Sequence, residues 1–443
     1  MNGGGDPIPL LVGEISVDFT MTEPGRENKL RLGGVAHAAR GFWALDTPFS
    51  AAVVLPSYLE DVARRYFDAL GCVDFRVVGY VRGAPNVTVI FDATEVADQG
   101  YETLLREEKK IETCPLHLSD LPCQKVLVFP GTYDLAEVTA ALPDDATLHI
   151  DVAYDVNDPT VLANLPRRIE TILISTSSQL FKSVSDKGLS AVREMFECVG
   201  PATLILKENR GGARLILAET DTIEALPAQL GTTANSVGVG DVFAAAYVAL
   251  SDKEPIEAGW RATYAAAAYS QTTYPDLFRR YVRRDLRLTL EEMRQLGGAF
   301  LPWEQRPGCP IYLAAPDFTR GERRAIDKAI ASLQYHNFDV RRPIVENGEL
   351  PLGSSTADLQ RMYQADYELL KQCSLVFAVP SERDPGSLVE VGIAIEAGIP
   401  VVIYDPSHEN ANTMLIGGAA HYSANLDECL NSVFRVLSSA PPK

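Results

Sequence analysis

The feature that most constrains this chain is a regular alternation of short apolar runs with longer amphipathic stretches. The strand-like runs of its first two thirds include residues 10–15, 125–129, 147–151, 171–175 and 203–207. The helix-like stretches include residues 35–45, 59–70, 241–250 and 290–296. Strands interleaved with helices predict an α/β domain around a mostly parallel sheet.

The alternation is interrupted once, at residues 297–308 (GGAFLPWEQRPG). Glycine, proline and aromatic residues mixed in this way are typical of a linker. A chain of 443 residues is also too long for one ordinary hydrophobic core. We therefore predict a first domain at residues 1–298, a linker at 299–308 and a second domain at 309–443.

The second domain repeats the alternation on a smaller scale. Its predicted strands begin at Cys309 and cover residues 374–379 and 400–404, and its predicted helices cover residues 321–334, 356–373 and 387–397. A polar loop at residues 346–355 separates the first two helices. This order predicts a compact, doubly wound, Rossmann-like parallel sheet.

The charge and composition of the chain limit the classes of partner that it is expected to bind. The formal net charge is −19, with 46% apolar and 22% charged residues, so we expect a soluble globular protein that binds neither nucleic acid nor an anionic membrane. No apolar run is long enough to cross a bilayer, and the N-terminal residues do not resemble a signal peptide. Seven scattered cysteines without a CxxC pair suggest reduced thiols in the cytoplasm and no metal cluster.

The sharpest motif of the first domain is NSVGVGDVFAAA at residues 235–246. Gly238 and Gly240 permit close backbone approach at the start of a helix, where unpaired N–H groups stabilise the charge of a transferring phosphoryl group. Asp241 would then take the proton of the attacking hydroxyl. The alternative is an ordinary glycine turn in which Asp241 caps the helix.

This motif resembles the signature of the ribokinase-like family of sugar and nucleoside kinases. Residues 11–18 (LVGEISVD), the pair Gly33-Gly34 and residues 206–213 (LKENRGGA) match further family motifs in order. The resemblance implies a ribokinase-like α/β sandwich that uses ATP and Mg²⁺, with Asp241 as the catalytic base. It assigns substrate contacts to Asp18, Gly33, Gly34 and His37, and nucleotide or anion contacts to Lys207, Gly212, Gly238, Val239 and Gly240.

Three departures from the family pattern qualify the kinase assignment. His37 stands where the family usually has Asn, and Asn235 replaces the acidic residue that opens the kinase motif. The family's magnesium-holding Asn-x-x-Glu should fall at residues 175–180 (STSSQL), which contain neither residue. A degenerate kinase domain that only binds a nucleoside or nucleotide is therefore an alternative.

The second domain carries the motif RDPGSLVEVG at residues 383–392. Ser387 and Glu390 have the Ser-x-x-Glu spacing of a capping box, so Glu390 could serve only its own helix. The motif also resembles the nucleoside 2-deoxyribosyltransferase family and its relatives that hydrolyse nucleoside 5′-monophosphates. Tyr312 in IYLAAPDF, Asp366 in ADYELL and Asn412-Thr-Met414 complete that resemblance over residues 310–422.

The resemblance implies cleavage of an N-glycosidic bond. Glu390 would be the nucleophile, oriented by Tyr312, because a carboxylate can attack an oxocarbenium-like anomeric carbon. Asp366 would protonate or orient the leaving base. Asp384 and Ser387 would contact the substrate.

Two further features bear on phosphate and on assembly. Arg320, alone or together with Arg323, would bind a 5′-phosphate at a helix start, or else belongs to a solvated basic face. Asn412 and Met414 match residues that complete a neighbouring subunit's site in the transferases, which implies a homo-oligomer. Packing in the core is the alternative for Met414.

Together the two domains predict a bifunctional enzyme of nucleoside salvage. The first would phosphorylate a nucleoside, and the second would split the monophosphate into base and (deoxy)ribose 5-phosphate. The alternatives are a deoxyribosyltransferase with a degenerate kinase domain, a nucleotide-depleting defence effector, and a pair of non-enzymatic ligand-binding modules.

Overall fold

The computed structural model describes residues 8–21, 28–104, 108–114, 116–152, 156–317, 323–351 and 353–439. The chain divides into two compact units. Unit 1 comprises residues 1–94, 99–229 and 233–298, and unit 2 comprises residues 95–98, 230–232 and 299–443. Within the described ranges, no helix has both the length and the apolar character needed to span a bilayer.

Unit 1 contains two sheets. Its strands are β1 (Leu10–Glu14), β2 (Val17–Thr20), β3 (Lys29–Leu32), β4 (Phe49–Leu55), β5 (Cys72–Arg82), β6 (Val87–Ile90), β7 (Glu102–Thr103), β8 (Lys110–Thr113), β9 (Lys125–Val128), β10 (Thr147–Asp151), β11 (Arg168–Ser175), β12 (Thr203–Lys207), β13 (Ala213–Leu217) and β14 (Thr222–Leu226). Its helices are α1 (Ala36–Ala44), α2 (Glu60–Ala69), α3 (Leu135–Ala140), α4 (Thr160–Ala163), α5 (Gln179–Lys182), α6 (Gly188–Met195), α7 (Val239–Ala249), α8 (Pro255–Ser270), α9 (Pro275–Asp285) and α10 (Leu290–Leu296). Short 3₁₀ helices lie at Ser57–Leu59, Ser185–Lys187 and Asn209–Gly211.

The larger sheet has ten strands in the order β14-β13-β12-β11-β10-β9-β1-β4-β5-β8. The seven strands from β12 to β5 run parallel, and antiparallel strands complete both edges. All five strands predicted for this unit lie in this sheet. The smaller sheet has the order β3-β2-β6-β7 and mixes parallel and antiparallel pairs.

One core packs helices against the large sheet. Apolar residues of β1 and β4 share one core with α1, α7 and α8. α7 packs against both α1 and α8, and the small alanine side chains of these helices allow close packing. This packing places the start of α7, where the glycine motif lies, next to His37 in the first turn of α1.

Unit 2 is built on one smaller sheet. Its strands are β15 (Ile311–Ala314), β16 (Val340–Arg341), β17 (Leu375–Ala378), β18 (Val401–Tyr404) and β19 (His421–Ser423), and its helices are α11 (Arg324–Tyr335), α12 (Pro343–Glu346), α13 (Thr356–Gln372), α14 (Pro385–Glu396), α15 (Thr413–Gly418) and α16 (Leu426–Ser439). The sheet order is β16-β15-β17-β18-β19, and every pair is parallel. Short 3₁₀ helices lie at Trp303–Gly308 and Ser381–Arg383.

The predicted α/β class is confirmed for both units, including the doubly wound parallel sheet of unit 2. β15, β17 and β18 are fully buried apolar strands, which is the pattern of a parallel sheet covered on both faces. Residues 299–308 pack within unit 2, where Ala299 and Leu301 join its core and Arg306 is completely buried.

Candidate functional site

In unit 2 the fold brings Tyr312 and Glu390 within hydrogen-bond distance, although they lie 78 residues apart in the sequence. β15 carries Tyr312, whose side chain is completely buried, and the second turn of α14 carries Glu390. The Tyr312 hydroxyl donates a 2.6 Å hydrogen bond to Oε1 of Glu390. This bond holds the carboxylate in the helix that follows β17, and ligands of doubly wound sheets bind beyond the carboxyl ends of such strands.

The start of α14 is capped by Asp384. Its Oδ2 accepts hydrogen bonds from the amide of Ser387 at 2.7 Å and from its hydroxyl at 2.8 Å. Ser387 therefore occupies the third helical position and is not the N-cap, so the capping-box alternative for Glu390 is wrong. Asp384 and Ser387 shape the helix start directly, and Glu390 is held by Tyr312.

The surroundings of Glu390 favour its neutral form more than water does. Burial raises the pKa of Glu390 to about 7, the nearby Asp366 and Asp384 add to the rise, and the Tyr312 hydrogen bond opposes it. Burial and the Glu390 carboxylate also raise the pKa of Tyr312, so its hydroxyl stays a donor. A carboxylate that titrates near neutrality beside a fixed donor is characteristic of catalytic sites.

Asp366 projects from α13 toward the same group. Burial raises its pKa above the ordinary value of an aspartate, and the hydrogen bond from Asn347 opposes the rise. Its Oδ1 accepts a 2.8 Å hydrogen bond from Nδ2 of Asn347. Asn347 was not predicted from the sequence, where its one signal is its place in the polar loop after α12.

Asn412 and Met414 lie at the start of α15. Asn412 caps that helix through a 2.8 Å hydrogen bond from the Met414 amide to Oδ1. The Met414 side chain is 80% exposed, so the core-packing alternative for Met414 is wrong.

A buried carboxylate that the sequence analysis missed holds the loop before Asn412. Asp405, at the end of β18, accepts hydrogen bonds through Oδ2 from the Asn410 amide at 2.8 Å and from the Tyr422 hydroxyl at 2.7 Å. Asn410 in turn donates to the Pro380 carbonyl at 2.6 Å. These bonds join the loops that follow β17 and β18.

Two arginines, Arg320 and Arg323, were predicted to contact a 5′-phosphate. Arg320 lies outside the described residues. Arg323 makes a 2.5 Å ion pair with Asp317 and also donates to its carbonyl at 3.0 Å. Asp317 is buried and also pairs with Arg342 at 2.7 Å, so the charge of Arg323 is largely engaged within the protein.

Unit 1 contains a cavity of about 530 Å³. It is lined by the predicted substrate and anion residues Asp18, Gly34, His37, Gly238 and Asp241. Its other lining residues include Glu14, Asn86, Lys109 and Phe129. The structure therefore brings residues from three of the sequence motifs and from several other loops around one cavity.

Asp18 and His37 form a buried pair in this cavity. His37 Nε2 lies 2.7 Å from Asp18 Oδ2, and His37 Nδ1 lies 2.8 Å from the Tyr269 hydroxyl. Burial lowers the pKa of His37 to about 4. Burial by itself would raise the pKa of Asp18, but the contacts with His37 and nearby arginines outweigh it and lower that pKa.

Two consecutive glycines make room for this pair. A Cβ on Gly33 would lie 1.9 Å from Asp18 Oδ1. Gly34 has φ +58°, and a Cβ there would lie 2.1 Å from the Glu14 carbonyl oxygen. A side chain at either position would displace Asp18 or the β1–β2 connection.

The glycine motif forms the start of α7, with Gly238 as its N-cap at φ +82°. A Cβ on Gly238 would lie 2.2 Å from the His37 ring, and one on Gly240 would lie 3.2 Å from Lys207 Nζ. The Val239 amide donates to the Ser236 carbonyl at 3.1 Å, whereas Asn235 donates to the Val237 carbonyl at 3.0 Å. The turn therefore brings backbone close to Lys207, and Asn235 braces it.

Asp241 lies in the first turn of α7 and does not cap it. Burial raises the pKa of Asp241 to about 7, with Asp151 adding to the rise and Lys207 opposing it. Lys207 makes a 2.5 Å ion pair with Asp151, a carboxylate at the end of β10 that the sequence analysis missed. Gly212 lies at φ +91° in the turn after β12, near the strand that carries Lys207.

No group of three or more His, Cys, Asp or Glu side chains in the described ranges is arranged to hold a metal ion. Asp151 and Asp241 are two carboxylates that interact with each other and with Lys207.

Comparison with known proteins gives one family match. Residues 311–427 match the model of the nucleoside 2-deoxyribosyltransferase family. No curated protein matches the chain in sequence.

Solved structures similar in fold to unit 1 include three sugar or nucleoside kinases. Ribokinase from Giardia lamblia is 14% identical, with a TM-score of 0.47, and the match covers 63% of this chain and 99% of that one. Arabidopsis thaliana ribokinase complexed with ribose and ATP is 16% identical (TM-score 0.45, 64% and 100%). A Burkholderia thailandensis nucleoside kinase in complex with inosine is 14% identical (TM-score 0.46, 62% and 95%).

Proposed function

We propose that this chain is a bifunctional nucleoside-processing enzyme. A kinase domain at residues 1–298 transfers phosphate from ATP to the 5′-hydroxyl of a nucleoside. A domain at residues 309–443, joined through residues 299–308, cleaves the resulting monophosphate into base and (deoxy)ribose 5-phosphate. The observation that carries this proposal is the hydrogen bond from Tyr312 to Glu390 inside the segment that matches the deoxyribosyltransferase family.

The cleavage proceeds in two steps. An ionised Oε atom of Glu390 bonds to the anomeric carbon, the C–N bond breaks, and its electron pair leaves with the base. Asp366, whose pKa burial raises, gives its proton to the departing nitrogen. Water then adds to the anomeric carbon, loses its proton to the Asp366 carboxylate, and releases Glu390.

Tyr312 has a double role in these steps. Its hydroxyl fixes the direction of the Glu390 carboxylate and stabilises the ionised form against the burial that opposes it. Asp384 and Ser387 border the same helix start and provide polar atoms for the substrate. Asn347 holds Asp366 through one oxygen, which leaves the other for the base.

The phosphorylation uses unit 1. Asp241, with its pKa near neutrality, accepts the proton of the attacking hydroxyl. Lys207 and the helix start at Gly238 and Gly240 would hold the ATP phosphates, because a cationic side chain and glycine backbone meet there without intervening Cβ atoms. ATP supplies the phosphoryl group that is transferred.

Nucleotide-bound Mg²⁺ keeps several water ligands and needs one or two protein carboxylates. Asp151 and Asp241, which interact near Lys207, would supply such carboxylates. Their presence supports magnesium binding even though residues 175–180 lack the family's Asn-x-x-Glu.

The proposal is tested by incubating the full chain with ATP, Mg²⁺ and a panel of nucleosides. We expect ATP-dependent release of base and (deoxy)ribose 5-phosphate. Glu390→Gln should accumulate the nucleoside 5′-monophosphate, and Asp241→Asn should release base only from a monophosphate supplied directly. Base release from a nucleoside without ATP would contradict the coupled reaction.

The family match of residues 311–427 favours one alternative, a deoxyribosyltransferase. Its glycosyl–Glu390 intermediate would be captured by a second base and not by water. This alternative predicts turnover only when an acceptor base is added. Comparing base release with and without adenine as acceptor separates the two reactions.

We also propose that the protein is a homo-oligomer. The exposure of Met414 and its position beside Asn412 support a contact with a second subunit. Light scattering on the purified full chain should give at least a dimer, and Met414→Glu should shift it toward the monomer.

A further inference from the structure

The carboxylate of Asp18 is only half available to a ligand in the unit 1 cavity. Its Oδ2 lies 2.7 Å from His37 Nε2 and 3.7 Å from Arg31 Nε. Its Oδ1 accepts only a long, 3.5 Å hydrogen bond from the Ser16 hydroxyl. One oxygen of this buried cavity residue is therefore committed within the protein, and the other is open to a ligand.

The donor that occupies Oδ2 is fixed in its role. His37 Nδ1 lies 2.9 Å from Arg40 Nη1, and a guanidinium can only donate hydrogen bonds. Nδ1 is therefore the acceptor nitrogen, and the ring proton is on Nε2, where it donates to Asp18. Arg40 is itself held by hydrogen bonds to the Tyr66 hydroxyl at 2.6 Å and the Leu32 carbonyl at 2.7 Å.

The His37 ring also has no space to turn away. It is 2% exposed, and it packs so closely on Gly238 that a Cβ there would lie 2.2 Å from the ring. Rotation about the side chain would break its contacts with Asp18, Tyr269 and Arg40 together. The packing of the cavity therefore maintains the hydrogen bond from His37 to Asp18 Oδ2.

The engagement of Oδ2 by His37 limits how Asp18 can bind the hydroxyls of a sugar. A carboxylate with two open oxygens can bind a vicinal diol with one hydroxyl on each oxygen. Here only Oδ1 is open, so the second hydroxyl of a diol would have to share an oxygen with the first hydroxyl or with the His37 N–H. A second hydroxyl buried without an acceptor costs binding free energy. Asp241 lies in the same cavity, positioned for the hydroxyl that is phosphorylated.

We infer that the unit 1 cavity selects a 2′-deoxyribonucleoside over the corresponding ribonucleoside, with His37 as the specificity-determining residue. The inference rests on the proposed nucleoside-binding function of this unit. The 3′-hydroxyl of the deoxyribose would bind Asp18 Oδ1. A ribose would present a second hydroxyl to an oxygen that His37 already occupies.

The test compares ATP-dependent phosphorylation of deoxyribonucleosides and ribonucleosides that carry the same base. It uses the full chain with Glu390→Gln, so that product is not cleaved. We expect kcat/KM to favour the deoxyribonucleoside on the order of tenfold. His37→Asn, whose shorter side chain opens Oδ2, should lose most of that preference.

The matched control is His149→Asn. His149 is another buried histidine of unit 1, bonded to Thr171 and not part of the cavity lining, so its replacement should leave the preference unchanged. Melting temperatures of both variants establish that they fold. Equal or better use of the ribonucleoside by the parent protein would overturn the inference while the proposed kinase function stood.

If neither nucleoside is phosphorylated, the proposed kinase function fails, and equilibrium dialysis then tests the inference alone. Asp18→Ala identifies binding that depends on this cavity. Preferential, Asp18-dependent binding of the deoxyribonucleoside supports the inference. Equal binding of the two nucleosides, or no binding that depends on Asp18, overturns it.

Discussion

Replacing Tyr312 with Phe removes a single hydroxyl from a buried ring and keeps the packing of that ring. The hydroxyl donates a 2.6 Å hydrogen bond to Glu390, and hydrogen bonds to charged groups contribute roughly 1.5–3 kcal/mol net. Since about 1.4 kcal/mol corresponds to one pH unit, the pKa of Glu390 should rise from about 7 by about 1 to 2 pH units. The ionised nucleophile should then become scarce at neutral pH.

The assay is the initial rate of base release from a deoxynucleoside 5′-monophosphate, measured as a function of pH. Activity requires ionised Glu390, so the rate falls as pH drops through the pKa of this residue. Tyr312→Phe should therefore move the acid limb of the profile to higher pH.

Tyr335→Phe is the matched control, because it removes a hydroxyl of the same unit that donates to Glu95 and not to Glu390. Its acid limb should stay in place. An unshifted acid limb in Tyr312→Phe, with the protein folded, would refute the assignment of that limb to a Glu390 stabilised by Tyr312.

Three further predictions address other residues. Asp366→Asn removes the proposed proton donor to the leaving base, so the maximal rate of base release should fall by roughly 100- to 10,000-fold; an undiminished maximal rate would contradict this. Asp241→Asn should reduce ATP-dependent phosphorylation by roughly 100- to 10,000-fold and leave cleavage of supplied monophosphate unchanged; undiminished phosphorylation would remove Asp241 as the base. Asp405→Ala leaves buried donors without their acceptor, so chemical denaturation should show a loss of unfolding free energy of about 1–3 kcal/mol, and an unchanged value would deny the residue its bracing role.

Much of the fold could be predicted because parallel strands are continuous apolar runs. β10 and β12 have the bounds predicted from such runs. The four-stranded sheet escaped prediction, since β3 is mostly exposed and β7 has two residues. Strands that bury few side chains carry little periodic signal.

The helix start before Glu390 shows what spacing alone leaves open. Asp384 and Ser387 are separated by the same three positions as Ser387 and Glu390, so two overlapping capping patterns compete. Proline favours the first helical position, and Pro385 therefore pointed to Asp384 as the cap. With Asp384 as the predicted N-cap, Ser387 and Glu390 would not have been predicted to form a capping box.

Other site residues act through loops that sequence patterns do not specify. Asn347 reaches Asp366, and Asp405 reaches Asn410 and Tyr422, only after the chain has folded. The hydrogen bond between His37 and Asp18 likewise could not be predicted from the sequence, although His37 itself stood out as a departure from the family pattern. Such contacts depend on tertiary distances that no local periodicity records.

The most direct test of the account is to trap the nucleophile. A 2-deoxy-2-fluoro-arabinosyl nucleoside 5′-monophosphate should slow hydrolysis of the glycosyl–enzyme bond, and peptide mass spectrometry then locates the sugar. The account predicts one sugar phosphate per chain, attached to the peptide that contains Glu390 and lost in Glu390→Gln. Base release from this analogue without an adduct, or an adduct on another residue, would contradict it.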